Sequence, residues 1–190
     1  MEQRDALRQK GRSSHMLVMT ATPIPRTLAQ AVYADLDVSV IDELPAGRQP
    51  IETVLVSDQR HSEVIQRVRR ACLDKRQAYW VCPLIEESDA LELQTATATE
   101  TALRDALPEL KIRLVHGRMK PVEKERAMLA FKEGAVDLLV ATTVIEVGVD
   151  VPNASLMIIE NAERLGLSQL HQLRGRVGRG SVASSCVLMY

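Results

Sequence analysis

Three short runs in which almost every residue is apolar constrain this chain most: 78–82 (AYWVC), 138–141 (LLVA) and 156–159 (LMII). Each is too short to cross a membrane and too uniformly apolar for a strand with one wet face, so each suits a strand covered on both sides. Between and around them lie segments of helical period. In 58–73, with Asp58 as the expected cap, Val64, Ile65, Val68 and Cys72 share one face. Residues 88–107 form a weaker helix, rich in Ala and Thr, stopped at Pro108. Pro121 suits the first position of a helix running to Phe131, with Gly134 as its terminator. Further strands are expected at 51–56, 112–115 and 185–190. Strand–helix alternation of this kind predicts an α/β fold, a parallel sheet with helices on both faces.

Ahead of that series the pattern differs. Residues 1–14 are polar and charged, and 15–20 read as a short strand delivering the run TATPIPRT at 20–27, where two prolines in three residues forbid regular structure. Residues 33–48 end in a Pro/Gly turn and read as a linker. The expected division is therefore 1–48, the tail of one domain plus a linker, and 49–190, a second domain.

Composition narrows the function. The net charge of −1 argues against a histone-like binder, and aromatic content of 3% leaves few rings for base stacking. The charge is unevenly spread, because 164–190 holds four arginines and no acid. Cys72, Cys82 and Cys186 match no zinc or redox spacing and read as buried thiols of a reducing compartment, which makes the cytoplasm the expected location. The four histidines form no metal cluster, no apolar run is long enough to span a membrane, and no signal-peptide pattern is present.

The functional centre is expected in 137–180. A strand ends on Thr142 and Thr143, a loop carries Gly148 and Asp150, and a second strand leads to QLRGRVGR at 172–179. If the last segment is helical, Gln169, Gln172, Arg176 and Arg179 share one face. Arginines beside glycines suit a phosphate site, since the guanidinium fork binds phosphate oxygens in pairs and glycine permits close approach.

This stretch resembles motifs V and VI of superfamily 2 nucleic-acid helicases. TATPIPRTLA resembles motif III of the RecG and Mfd branch, and YADLDVSVIDELPAGRQP is similar to the RecG-like side of that branch. The resemblance implies a RecA-like second motor domain and an ATP-dependent DNA helicase that remodels stalled forks and Holliday junctions. Its partners would be branched or duplex DNA, the first motor domain and an N-terminal wedge domain, with no membrane involved. It makes Arg179 the arginine finger and Arg176 its supporting contact, and it places Gly148, Asp150 and Gln172 at the nucleotide. It gives Thr20 and Thr22 a coupling role, and assigns His116, Arg118 and Thr142 to the nucleic-acid backbone. No GxxxxGK[ST] phosphate loop occurs here, and no Asp-Glu metal pair precedes motif III. ATP would thus be shared with the missing first motor domain, which would also hold Mg²⁺; this chain alone is expected to be inactive. An Mfd-like translocase and a non-catalytic nucleic-acid-binding module are the alternatives.

The candidates gather just past expected strand ends: Thr20 and Thr22, 82–87, 116–118, Thr142 and Thr143, and 160–164. In an open parallel sheet that edge is where ligands bind. Each residue also has an ordinary reading. His116 beside Gly117 can be a turn histidine, Thr142 can hydrogen-bond within its loop, and Asp150 can cap Pro152 or Asn153. Glu86 and Glu87 read as solvated surface, and Cys72 and Cys186 as core.

Overall fold

Gln77–Cys82 (β2), Leu138–Thr142 (β4) and Ala154–Ile159 (β5) are buried at every position, as their unbroken apolar runs require. They lie in the interior of a six-stranded sheet ordered β1-β6-β5-β2-β4-β3, in which Glu52–Val56 is β1, Ile112–Val115 is β3 and Ser185–Met189 is β6. Every pairing is parallel. Edge strands β1 and β3 are only partly covered, and Leu55 on β1 is largely exposed. The computed structural model describes residues 48–83, 89–142 and 150–190, with Leu17, Met19, Ser39 and 41–43 besides. The chain separates into two units, Met1–Val40 and Ile41–Tyr190.

Strand alternation sends Ala78, Trp80 and Cys82 into one core layer and Tyr79 and Val81 into the other. On the first face lie α1 (His61–Leu73) and α2 (Asp89–Ala106), packing Val64, Val68, Cys72 and Leu103. On the second lie α3 (Pro121–Lys132) and α4 (Leu167–Arg174), packing Ala127, Met128, Phe131 and Leu173. Full burial of a Leu, Ile, Phe or Met side chain contributes roughly 1.5–3 kcal/mol, so these two layers supply most of the driving force. The expected α/β architecture with helices on both faces is therefore present.

Local signals decide where the helices begin and end. Pro121 opens α3, and Glu123 Oε2 accepts a hydrogen bond from Lys120 N at 3.1 Å. Gly134 closes it at φ +75°, with Gly134 N donating to Phe131 O and Ala135 N to Ala130 O. That pair of bonds satisfies carbonyls a helix end would otherwise strand. The Gln77 amide reinforces the same corner by donating to the carbonyls of Phe131 and Val136.

Two expectations are corrected here. Asp58 does not cap α1. The Ser57 hydroxyl accepts from Gln59 N instead, and Asp58 N donates to Tyr190 O at 2.9 Å, because a 3₁₀ turn over Asp58–Arg60 precedes the helix. The strand expected at 15–20 lies mostly outside the described residues, but Leu17 and Met19 are described, exposed and in no strand.

Because all six strands are parallel, their C-terminal ends form one rim. Residues just past β3, β4 and β5 are His116, Thr142 (the last residue of β4) and Glu160. Among the described residues no helix is long and apolar enough to cross a membrane.

Candidate functional site

The arginine-bearing segment is not one continuous helix, which corrects the shared-face expectation. Helix α4 stops at Arg174 with Gly175 as its cap, where Gly175 N still donates to His171 O. Arg176 and Arg179 lie in the turn that follows. Gln169 is occupied with helix capping, its Oε1 accepting from Gly166 N at 3.1 Å, and Gln172 is exposed on α4. Glycine breaks the helix, and Val177 between the two arginines is fully buried in the core layer of α3 and α4.

That turn is tightly held. Gly178 adopts φ +72°, and a Cβ there would stand 2.8 Å from Ile51 Cγ1. A Cβ on Gly180 would stand 2.5 Å from the carbonyl oxygen of Pro152, a backbone atom that cannot swing aside. Both positions therefore require glycine. Arg179 Nε donates to Gly175 O at 3.2 Å, and its Nη1 to Asp150 Oδ1 at 3.4 Å. Asp150 thus pairs with the arginine rather than capping its own loop. The pair is exposed and contributes at most about 1 kcal/mol, so it aims the guanidinium without locking it away.

Arg176, Arg179 and Asp150 also act on one common neighbour. Burial pushes the Tyr79 hydroxyl up to about 12; the two arginines pull it down and Asp150 pushes it up. Three residues read separately from the sequence are therefore within electrostatic range of a single ring. Tyr79, packed edge-on against Phe131 with centroids 4.9 Å apart, is the floor beneath them. Sequence reasoning took it only as strand core.

At the opposite edge of the sheet, where β3 and β4 end, the arrangement is different. Among the described residues, the buried Thr142 hydroxyl and Nδ1 of His116 have no hydrogen-bond partner. Val115 pairs with Ala141, so continuing that register by one residue sets His116 beside Thr142. Cys82 pairs with Thr142 on the other side. Buried polar groups are generally satisfied, so these two atoms at neighbouring strand ends are candidate contacts for a polar ligand. Arg118 is exposed nearby in the turn after β3.

Glu160, past β5, accepts from Trp80 Nε1 at 2.9 Å and lies 3.4 Å from His61 Nε2. Its carboxylate ties α1 to the sheet end rather than facing solvent. Burial pushes up the thiols of all three cysteines, Cys72 and Cys186 to about 12, so all remain protonated at neutral pH. No three His, Cys, Asp or Glu side chains among the described residues are grouped to hold a metal. Thr20, Thr22, Thr143 and Gly148 lie outside the described residues, as do Glu86 and Glu87.

Comparison with known proteins is decisive for the family. The helicase conserved C-terminal domain matches residues 63–181, from the first turn of α1 to just past the arginine turn. This chain belongs to that family. It is a RecG-like member of the helicase C-terminal domain family, 69% identical over its whole length to the ATP-dependent DNA helicase RecG of Pasteurella multocida (strain Pm70). It spans only 28% of that relative's length. The structure of RecG bound to a three-way DNA junction superposes with a TM-score of 0.73 at 50% identity, covering 89% of this chain and 22% of that one. Domain 2 of the Mss116p DEAD-box helicase, bound to an RNA duplex, covers 73% of this chain and 53% of its own with a TM-score of 0.57 at 17% identity, a likeness of fold alone. The helicase C-terminal domain is thus the RecA-like sheet described above, and the RecG-like likeness does not favour an Mfd-like assignment.

Proposed function

We propose that this chain is the second RecA-like motor domain of an ATP-dependent DNA helicase that remodels branched DNA, stalled forks and Holliday junctions in recombination and repair. Residues 49–190 form that domain, and 1–48 are the tail of the first motor domain with its linker. The observation that carries the reading is Arg179. It is held between the Gly175 carbonyl and Asp150, beside Arg176, in a turn that two glycines and Val177 keep in place.

ATP, when bound between the two motor domains, supplies the phosphoryl group that passes to water. The residues here fit the outer side of such a nucleotide, because two guanidinium groups offer planar donors to phosphate oxygens. Arg179 neutralises the charge that grows on those oxygens as the bond breaks, and Arg176 supports it. Asp150 orients Arg179 and faces the ribose, with Gly148 and Gln172 completing the nucleotide side. Mg²⁺ belongs to the first motor domain in this reading. The orphaned Thr142 hydroxyl and His116 Nδ1 take DNA phosphate oxygens, with Arg118 adding charge and Thr20 and Thr22 linking DNA to nucleotide state. The partners are branched or duplex DNA, the first motor domain and a wedge domain of the same polypeptide, in the cytoplasm.

The test compares the 190-residue chain with the full-length protein. DNA-stimulated ATP hydrolysis and fork remodelling are expected from the full-length protein only, because this chain carries no phosphate loop. Robust hydrolysis by the chain alone would falsify the half-motor assignment. A full-length protein that binds junctions yet never hydrolyses ATP would favour a non-catalytic binding module.

A further inference from the structure

We propose that Arg48 is a positioning residue for the arginine turn, coupling the segment that enters the domain to the placement of Arg179; the inference rests on the nucleotide-site reading given above. Arg48 lies just ahead of β1, yet its side chain is half-buried and reaches across 130 residues of sequence, Nε donating to Gly178 O at 3.0 Å. Three residues on, Ile51 presses against the same glycine, its Cγ1 2.8 Å from where a Cβ would stand. One short entering segment therefore grips Gly178 twice, once by its carbonyl and once at its Cα.

The consequence for Arg179 follows from backbone geometry. The Gly178 carbonyl and the Arg179 nitrogen belong to one planar peptide unit, so fixing the oxygen fixes the plane from which Arg179 departs. Gly178 sits at φ +72°, and glycine has the widest backbone freedom of any residue. Without an outside anchor that plane is free to rotate, and the guanidinium at the end of a long side chain magnifies the rotation. The other contacts of Arg179, Gly175 O and Asp150 Oδ1, act on its side chain and leave the peptide plane unfixed. Arg48 supplies the missing constraint. Because it belongs to the entering segment, any displacement of that segment is felt at the Gly178–Arg179 peptide.

The experiment uses the full-length protein with Arg48→Met, which keeps the apolar stem and removes the donor, Arg48→Lys, and Arg179→Ala in parallel. Steady-state ATP hydrolysis on forked DNA, thermal melting and hydrogen exchange across 175–180 are measured for each. Arg48→Met should lower kcat by about tenfold or more with KM for ATP within about twofold, since a misplaced catalytic group damages the transition state more than binding. Exchange across 175–180 should quicken, and Arg48→Lys should recover part of the rate. A parental kcat with only a lowered melting temperature would show Arg48 to be a structural tie and overturn the proposal. So would unchanged exchange in the turn. If Arg179→Ala hydrolyses ATP at the parental rate, the nucleotide-site reading fails instead, while quickened exchange in Arg48→Met still separates that failure from one of the Arg48 tie.

Discussion

The arginine turn after α4 packs against residues that precede β1, β5 and β6, at the opposite edge of the sheet from the strand ends at His116 and Thr142, and the two are finished to different degrees. At the arginine turn each feature has an internal partner: Arg179 has Gly175 and Asp150, Gly178 has Arg48 and Ile51, and Gly180 abuts Pro152. At the strand ends the Thr142 hydroxyl and His116 Nδ1 are buried and have no partner among the described residues. The first region is shaped in advance by the fold, as the proposed charge stabilisation in a transition state would demand. The second holds two buried polar atoms that the proposed DNA contact would satisfy.

The contrast can be broken most forcefully at Arg179. In the full-length protein, Arg179→Ala should lower kcat for ATP hydrolysis by about a thousandfold, with KM for ATP and affinity for DNA little changed. Lysine should rescue poorly, because a point charge lacks the planar fork. A parental turnover would remove the arginine turn from the chemistry and return it to the surface.

A smaller effect is expected from Gly180→Ala. The added methyl meets the Pro152 carbonyl at 2.5 Å, so the backbone must move and the whole turn with it. Overpacking of this kind costs about 1–3 kcal/mol, and displacing the neighbouring arginine should lower turnover by up to about a hundredfold. Melting temperature and kcat should fall together. An unperturbed variant would mean that the turn is less tightly shaped than the contacts indicate.

The smallest effect, and the one that sharpens the comparison most, concerns Thr142→Val. The replacement keeps the β-branched shape and removes a buried hydroxyl that has no partner. The free protein should therefore gain about 1 kcal/mol and melt a few degrees higher. Stimulation of hydrolysis by DNA should weaken at the same time, with DNA-independent turnover near normal. No analogous gain is available at Arg179, whose guanidinium already has partners in Gly175 O and Asp150. A Thr142→Val protein that melts lower would show that the hydroxyl has a partner in solution.

Much of this was legible in the chain itself. The runs AYWVC, LLVA and LMII announced strands covered on both faces, since no other environment suits an unbroken apolar stretch of that length. Pro121 and Gly134 bounded α3 because proline and glycine act on the backbone locally, whatever the tertiary surroundings. Arg176, Arg179, Asp150, His116 and Thr142 were singled out by residue type and motif, and His116 and Thr142 stand at strand ends as expected. Where the arginine helix stops, that a 3₁₀ turn capped by Ser57 precedes α1, and that Asp150 turns toward Arg179 were decided only by the folded molecule. So were the floor formed by Tyr79, the Glu160 tie to Trp80 and His61, and the reach of Arg48 to Gly178. Each of these depends on segments distant in sequence meeting at particular atoms, and periodicity carries no information about such meetings. Apolar pattern and backbone chemistry therefore determined the layers and their order of alternation, while packing across the sheet decided which polar atoms were satisfied and which were left waiting.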